Sequence, residues 1–276
     1  MNHKAIQDSE DQALLRLTVA AVQAAGHAVK ALFDPAARAQ TVRQIVSAIE
    51  ANDRVSMGIL RDALSRARPA ARWDDDEAGT GPLPPGEWWV CDPVEGAINH
   101  VHGLPDWGVT ATLVRDNVPV LTAIHLPLSG ETCSALRGGG AWCNERRLRV
   151  SAKTSLAAAM VGTGQAAPGE GQAAYRRIGQ SVAAMLNAAL VVNVSVPSTL
   201  QLIRVAAGQQ ELFWQFSQVR SGLMAGALLV AEAGGVVSDL HGQPWQPHST
   251  AFLAGAPDLA TAAAALLAAV EAGSPA

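Results

Sequence analysis

Apolar residues at Leu15, Val19, Val22, Ala25, Val29 and Leu32 recur every three or four positions. That spacing predicts an amphipathic helix over 11–33, with Ser9 as its cap and Pro35 as its stop. Ile45, Ile49, Val55, Ile59, Leu60 and Leu64 repeat the pattern and predict a second helix over 41–67. The period then changes. A short apolar run at 88–91 reads as a buried strand. Further runs at 109–114, 118–126, 131–136, 141–143 and 148–151 are separated by brief turns such as Arg115-Asp116-Asn117 and Gly138-Gly139-Gly140. Strands joined so tightly are antiparallel neighbours. The first half, 1–150, is therefore expected to be two helices on an antiparallel meander.

The second half, 151–276, alternates instead. Strands are predicted at 159–164, 190–196, 211–214, 236–240 and 251–255, and helices at 171–189, 198–207, 221–233 and 259–272. Gly234-Gly235 stops the third of these helices. Alternation of this kind implies a mixed sheet covered by helices on both sides.

Composition supports a folded chain. Of 276 residues, 49% are hydrophobic and 16% charged, so there is ample core material and no signature of disorder. The net charge is −4 and no Lys/Arg-rich tract stands out, so nucleic acid is not expected as a partner. The three cysteines are odd in number and lack metal-type spacing; they read as reduced, buried thiols. The first ten residues are polar, with no signal-peptide core. No apolar run reaches the ~20 residues that span a bilayer. A soluble, cytoplasmic protein with no membrane contact is expected.

Candidate chemistry gathers after the strand at 88–91, which ends in Asp92-Pro93-Val94-Glu95-Gly96. Two carboxylates on a turn closed by glycine suit a hard cation such as Mg²⁺, which takes oxygen ligands. The backbone around Gly96 can approach a phosphate closely, because glycine has no side chain. Upstream, the acidic run from Asp74 to Glu77 is either a solvated loop or the completion of that cation site. Glu50 and Asp53 lie on the second helix, where a solvated face is the simpler reading.

The stretch Asp92-Pro93-Val94-Glu95-Gly96-Ala97-Ile98-Asn99-His100-Val101-His102-Gly103-Leu104-Pro105 resembles the signature of the inositol monophosphatase family, Asp-Pro-x-Asp-Gly-Thr-x-Asn-Phe-x-His-Gly-x-Pro. The turn Gly138-Gly139-Gly140-Ala141 with Asn144 is similar to that family's hairpin. Val205-Ala206-Ala207-Gly208 with Glu211-Leu212-Phe213-Trp214, and Ala225-Gly226 through Gly235, resemble its later segments. The resemblance spans almost the whole chain. It implies a layered α+β and α/β sandwich of alternating α-β-α-β-α layers, with an antiparallel sheet first and a mixed sheet second. It also implies a homodimer, and Mg²⁺-dependent hydrolysis of a phosphate monoester of a small sugar, inositol or nucleotide.

Carried over residue by residue, the resemblance places metal ligands at Asp92, Glu95, the Val94 carbonyl, and Asp74 or Asp75. Catalytic roles fall to Asp53, Asp92 and Glu95, phosphate contacts to Gly96 and Ala97, and candidate substrate contacts to His100 and Glu211. His102 matches the family's own histidine and carries a structural role. The copy is imperfect. Glu95 stands for an Asp, Ala97 for the Thr whose hydroxyl polarises water, and Glu50 for the Thr of Thr-x-x-Asp. Ser221-Gly222 stands where the family has Trp-Asp, so the third metal-binding Asp is missing. Val196-Pro197 replaces a Gly-Ser pair beside the substrate. Three readings follow: a Mg²⁺-dependent phosphomonoesterase with a modified site, a degenerate homologue that binds a ligand or partner, or a different reaction in the same cleft, for which His100 would be an acid/base or ligand. Packed against its loop, His100 would instead be structural, as would Trp88, Trp89 and Trp107.

Overall fold

A computed structural model describes residues 3–76, 79–167, 169–216 and 220–271. Glu77 of the acidic run and Val219 before Arg220 lie outside them. The chain divides into two compact units: residues 1–77 with 83–146, and residues 78–82 with 147–276.

The first unit opens with α1 (His3–Lys30) and α2 (Val42–Ala67). Helix α1 begins ahead of Ser9, so that residue is interior rather than the cap. Thr41 does cap α2: its hydroxyl accepts the Gln44 N–H while the Gln44 side chain reaches back to the Thr41 N–H. The sheet runs β1 (Arg72–Trp73), β2 (Glu87–Glu95), β3 (Gly108–Arg115), β4 (Val118–Leu126), β5 (Glu131–Leu136), β6 (Gly140–Cys143) and β7 (Arg146–Arg147), in that spatial order. The short strand expected at 148–151 is not formed. Pairing is antiparallel from β2 to β6, but β1 lies parallel to β2, which the meander pattern did not predict. A five-residue helix, α3 (Ala97–Val101), follows β2.

Alternation decides which side of this sheet meets the helices. Trp89 and Cys91 of β2, Val109, Ala111 and Leu113 of β3, and Leu121 and Ala123 of β4 share one face. They form a core with Leu15, Val22 and Ala25 of α1 and Leu60 and Leu64 of α2. Asp92, Thr110, Thr112, Thr122 and Ile124 therefore point to the opposite face.

The second unit contains a short 3₁₀ turn at Leu156–Ala158, then β8 (Met160–Thr163), α4 (Gln172–Ala188), β9 (Val191–Val194), α5 (Ser198–Ala206), β10 (Leu212–Gln215), α6 (Arg220–Glu232), β11 (Val236–Ser238), β12 (Phe252–Gly255) and α7 (Pro257–Glu271). The sheet order is β11-β12-β10-β8-β9, antiparallel at β11-β12-β10 and parallel at β10-β8-β9. Val161, Leu212, Trp214 and Leu253 pack with Met185 of α4 and Leu259, Ala263 and Leu267 of α7. On the other face, Gly162 leaves room for Gln201 of α5, and a methyl group there would lie 1.9 Å from the Gln201 Oε1. Helices thus cover both faces, as the alternation predicted. Among the described residues no helix is long and apolar enough to cross a membrane.

Candidate active site

Strand β2 does not end at Cys91; it continues through both acids to Glu95. Asp92 pairs with Thr110 and Glu95 with Gly108, so three steps on β2 oppose two on β3. One extra residue is a β-bulge. In a regular strand, residues three apart point to opposite faces. Because Thr110 and Gly108 share a face, the bulge brings Asp92 and Glu95 to the same one. Pro93 is tolerated there because a bulge residue need not donate to the ladder.

The loop is held from inside. The Val94 N–H donates to Asp92 Oδ1 at 3.1 Å, and the Asp92 N–H donates to the Thr110 hydroxyl at 3.2 Å. Val94 and Glu95 are buried and Asp92 is half-buried. Gly96 then adopts φ 84° and ψ 32°, the left-handed region, and its carbonyl accepts the N–H groups of Asn99 and His100. Ala97 opens α3 with no hydroxyl to offer. At the far end Gly103 has φ 71°, and a methyl group on it would lie 2.6 Å from the Pro35 carbonyl oxygen. The His-Gly step of the motif therefore reflects a close backbone approach.

Of the upstream acids, Asp74 follows β1 beside β2, its N–H donating to the Trp89 carbonyl at 2.9 Å. Burial pushes the Cys91 thiol up, and the thiol senses Asp92, Arg61 and Asp74. Asp75 turns elsewhere: it is exposed and ion-paired with Arg61, whose guanidinium also lies 4.8 Å from the Trp73 ring centre. Asp53 is half-buried on α2 and Glu50 is exposed.

His100 is buried in the first unit. The Asn52 side-chain amide donates to its Nδ1 at 3.0 Å, and its Nε2 faces the Val29 carbonyl at 3.4 Å. Phe33 and Trp107 meet its ring edge to face. Burial holds its pKa below the usual imidazole value. This is the packed histidine; the geometry offers no acid/base role. Trp89 and Trp107 are fully buried, as packing residues are. His102 bonds locally to the Ile98 carbonyl at 2.7 Å.

Glu211 corrects the expectation of a substrate contact. It is 2% exposed; its Oε2 accepts the Met160 N–H at 2.6 Å and its Oε1 meets Lys153 Nζ at 3.1 Å. The carboxylate ties β10 to the start of β8.

The second unit has a polar corner that the motif reading passed over. Ser198, at the start of α5, hydrogen-bonds Gln215 at the end of β10, and both crowd Gly164 just after β8. The carboxyl ends of parallel strands are where such sheets bind ligands. Gly222, on α6, has no described heavy atom within 4 Å of where its side chain would be. Its carbonyl accepts the Thr199 hydroxyl at 3.1 Å.

Residues 10–272 match the inositol monophosphatase family. The chain belongs to that family. It is 31% identical over 235 residues to an inositol-1-monophosphatase of Rhizobium meliloti, covering 83% of this chain and 86% of that one. It is 30% identical over 203 residues to a putative Nus factor SuhB of Neisseria meningitidis, covering 69% and 73%. Its fold is similar to the crystal structure of extragenic suppressor protein suhB from Bartonella henselae, with a TM-score of 0.78 at 25% identity, over 92% of this chain and 98% of that one.

The donor set fits this family's metal chemistry only in part. Among the described residues no group of three or more His, Cys, Asp or Glu side chains is gathered to hold a metal. Asp75 is paired with Arg61, and Gly222 supplies no carboxylate. Two carboxylates on one face still match the way Mg²⁺ is usually held, through one or two carboxylates, waters and a substrate phosphate.

Proposed function

We propose that this chain is a Mg²⁺-dependent phosphomonoesterase for a small phosphorylated metabolite, with a reduced site. The observation that carries the reading is the bulge that sets Asp92 and Glu95 on one face. These two carboxylates, with the Val94 carbonyl, would hold one cation. When bound, that ion supplies charge neutralisation at the phosphoryl oxygens and a lower pKa for its water. The main chain around Gly96 and Ala97 orients the phosphate. Asp53 is the candidate base on α2, unassisted by a hydroxyl at position 97. Slow turnover follows from that absence and from the missing third carboxylate.

The second reading, binding without turnover, rests on Gly222 and Ala97. A relative named as a putative Nus factor rather than as an enzyme supports it. One experiment separates the two. Phosphate release is measured from sugar, inositol and nucleotide monophosphates with and without Mg²⁺, beside calorimetric binding of the same compounds and an Asp92→Ala control. Mg²⁺-dependent release abolished by Asp92→Ala supports the enzyme. Binding with no release on any compound sinks it in favour of the second reading.

A further inference from the structure

Two of the three cysteines meet in the first unit without entering the reading above. Cys133 of β5 lies directly opposite Cys143 of β6. The Asn144 N–H donates to the Thr132 carbonyl at 2.8 Å, so 132 and 144 form a hydrogen-bonded pair of this ladder. Pairs alternate in antiparallel strands, which makes 133 and 143 a non-hydrogen-bonded pair. There side chains approach most closely, with Cα atoms about 4.5 Å apart. That lies inside the roughly 4.4–6.8 Å a disulfide spans. The Cys133 thiol donates to the Cys143 sulfur at 2.7 Å.

We propose that Cys133 and Cys143 are a peroxide-reactive dithiol that closes to a cross-strand disulfide. The two sulfurs differ in a way that assigns the steps. The hydrogen bond from Cys133 holds Cys143 below the ordinary thiol range despite its burial, while the same bond and burial push Cys133 up. Cys143 is also the less deeply buried of the two, 6% exposed against 0%, so it is the sulfur a peroxide reaches first and the attacking one. Its thiolate takes the terminal oxygen of a hydroperoxide, the O–O bond breaks, and a sulfenic acid and an alkoxide or hydroxide result. Cys133 then loses its proton and attacks the Cys143 sulfur. The S–S bond forms and the sulfenic oxygen leaves as water. Overall, two thiols are oxidised, and the peroxide is reduced to water and an alcohol, or to two waters.

Access suits a small oxidant. Cys143 is 6% exposed and Cys133 fully buried, yet Trp142 and Asn144 on either side of Cys143 are exposed. Cys91 cannot join, because it points to the helix-facing side of the sheet. The register also places the pair at the far end of one cross-strand row: Asp92, Thr110, Ile124, Cys133, Cys143. Asp92 and Cys133 are three strand spacings apart, about 14 Å. The thiols are thus too far from Asp92 to act on a ligand there and make up a separate site.

The test treats reduced, native full-length protein with hydrogen peroxide, quenches it, and counts thiols after denaturation, with peptide mapping. The expected result is a fall from three free thiols to one, reversed by dithiothreitol, with a peptide joining Cys133 to Cys143. The variant Cys133→Ser should instead accumulate a sulfenic acid at Cys143 that a sulfenate-trapping dione captures. Three thiols persisting in the wild-type chain, or a bond through Cys91, overturns the proposal. So does oxidation of Cys143 to sulfinic acid without a cross-link. The wild-type mapping decides the matter even where the variant fails to fold.

Discussion

Asn52 and His100 are 48 positions apart and share one buried hydrogen bond of 3.0 Å. It joins α2 to α3, the short helix that follows the Asp92-Glu95 bulge. Removing the amide leaves a buried imidazole nitrogen without its donor, which costs about 1–3 kcal/mol. Asn52→Ala should lower the urea-unfolding free energy by that amount and weaken binding of a phosphorylated ligand, because α3 loses its anchor. Unchanged stability together with unchanged binding would show that this contact does not position the loop.

Acid should weaken the fold in two stages. Burial, the largest cause at both residues, holds His100 and His125 below the ordinary imidazole value of 6.5; His27 adds repulsion at His125. The unfolded chain takes up these protons near 6.5 while the folded chain resists them. Stability from both groups is therefore complete above 6.5 and falls as pH drops through the folded values. Glu87 shifts the same way for another reason: hydrogen bonds from Arg68, then Arg115, hold its carboxyl below 4.5, so its contribution is lost only in more acidic solution. Urea unfolding followed from neutral to acidic pH should show the first decline beginning near 6.5. A flat profile between there and 4.5 would contradict the histidine assignment.

The helices were legible because a period of three to four residues survives in the sequence, and the meander because its turns carry Asp, Asn and Gly. The continuation of β2 was not. Pro93 beside two acids reads as the end of a strand, and only the pairing with Thr110 and Gly108 shows that a bulge absorbs it. Helix α3 is too short to show a period, and the polar start of α1 resembles a cap. At the site, Asp92 and Glu95 stood out by residue type. Asn52 did not, since its role depends on a distant partner, although Asn52, Ser56, Leu60 and Leu64 form a buried stripe at four-residue spacing. Glu211 misled because an acid beside an apolar strand reads the same whether it faces a ligand or staples two strands.

That stapling role of Glu211 gives a third expectation. Glu211→Ala leaves the Met160 N–H without its acceptor at a cost of about 1–3 kcal/mol, while the half-exposed Lys153 ammonium keeps the Ala158 carbonyl. Glu211→Gln keeps an acceptor for Met160 and should cost less. Neither change should alter ligand affinity measured by calorimetry at a temperature where both variants are folded. A drop in affinity with stability intact would return Glu211 to the list of substrate contacts.

The fourth expectation concerns what the site lacks. Ala97 is half-buried at the start of α3, beside the cluster of Val29, Val94 and Trp107. The variant Ala97→Thr restores the hydroxyl that the family's motif carries after its acidic-Gly pair. A positioned proton acceptor contributes about 10²–10⁴ in rate. Mg²⁺-dependent phosphate release should rise toward that range in Ala97→Thr. Equal rates in the wild type and folded Ala97→Thr would mean that this substitution is not what limits the chemistry.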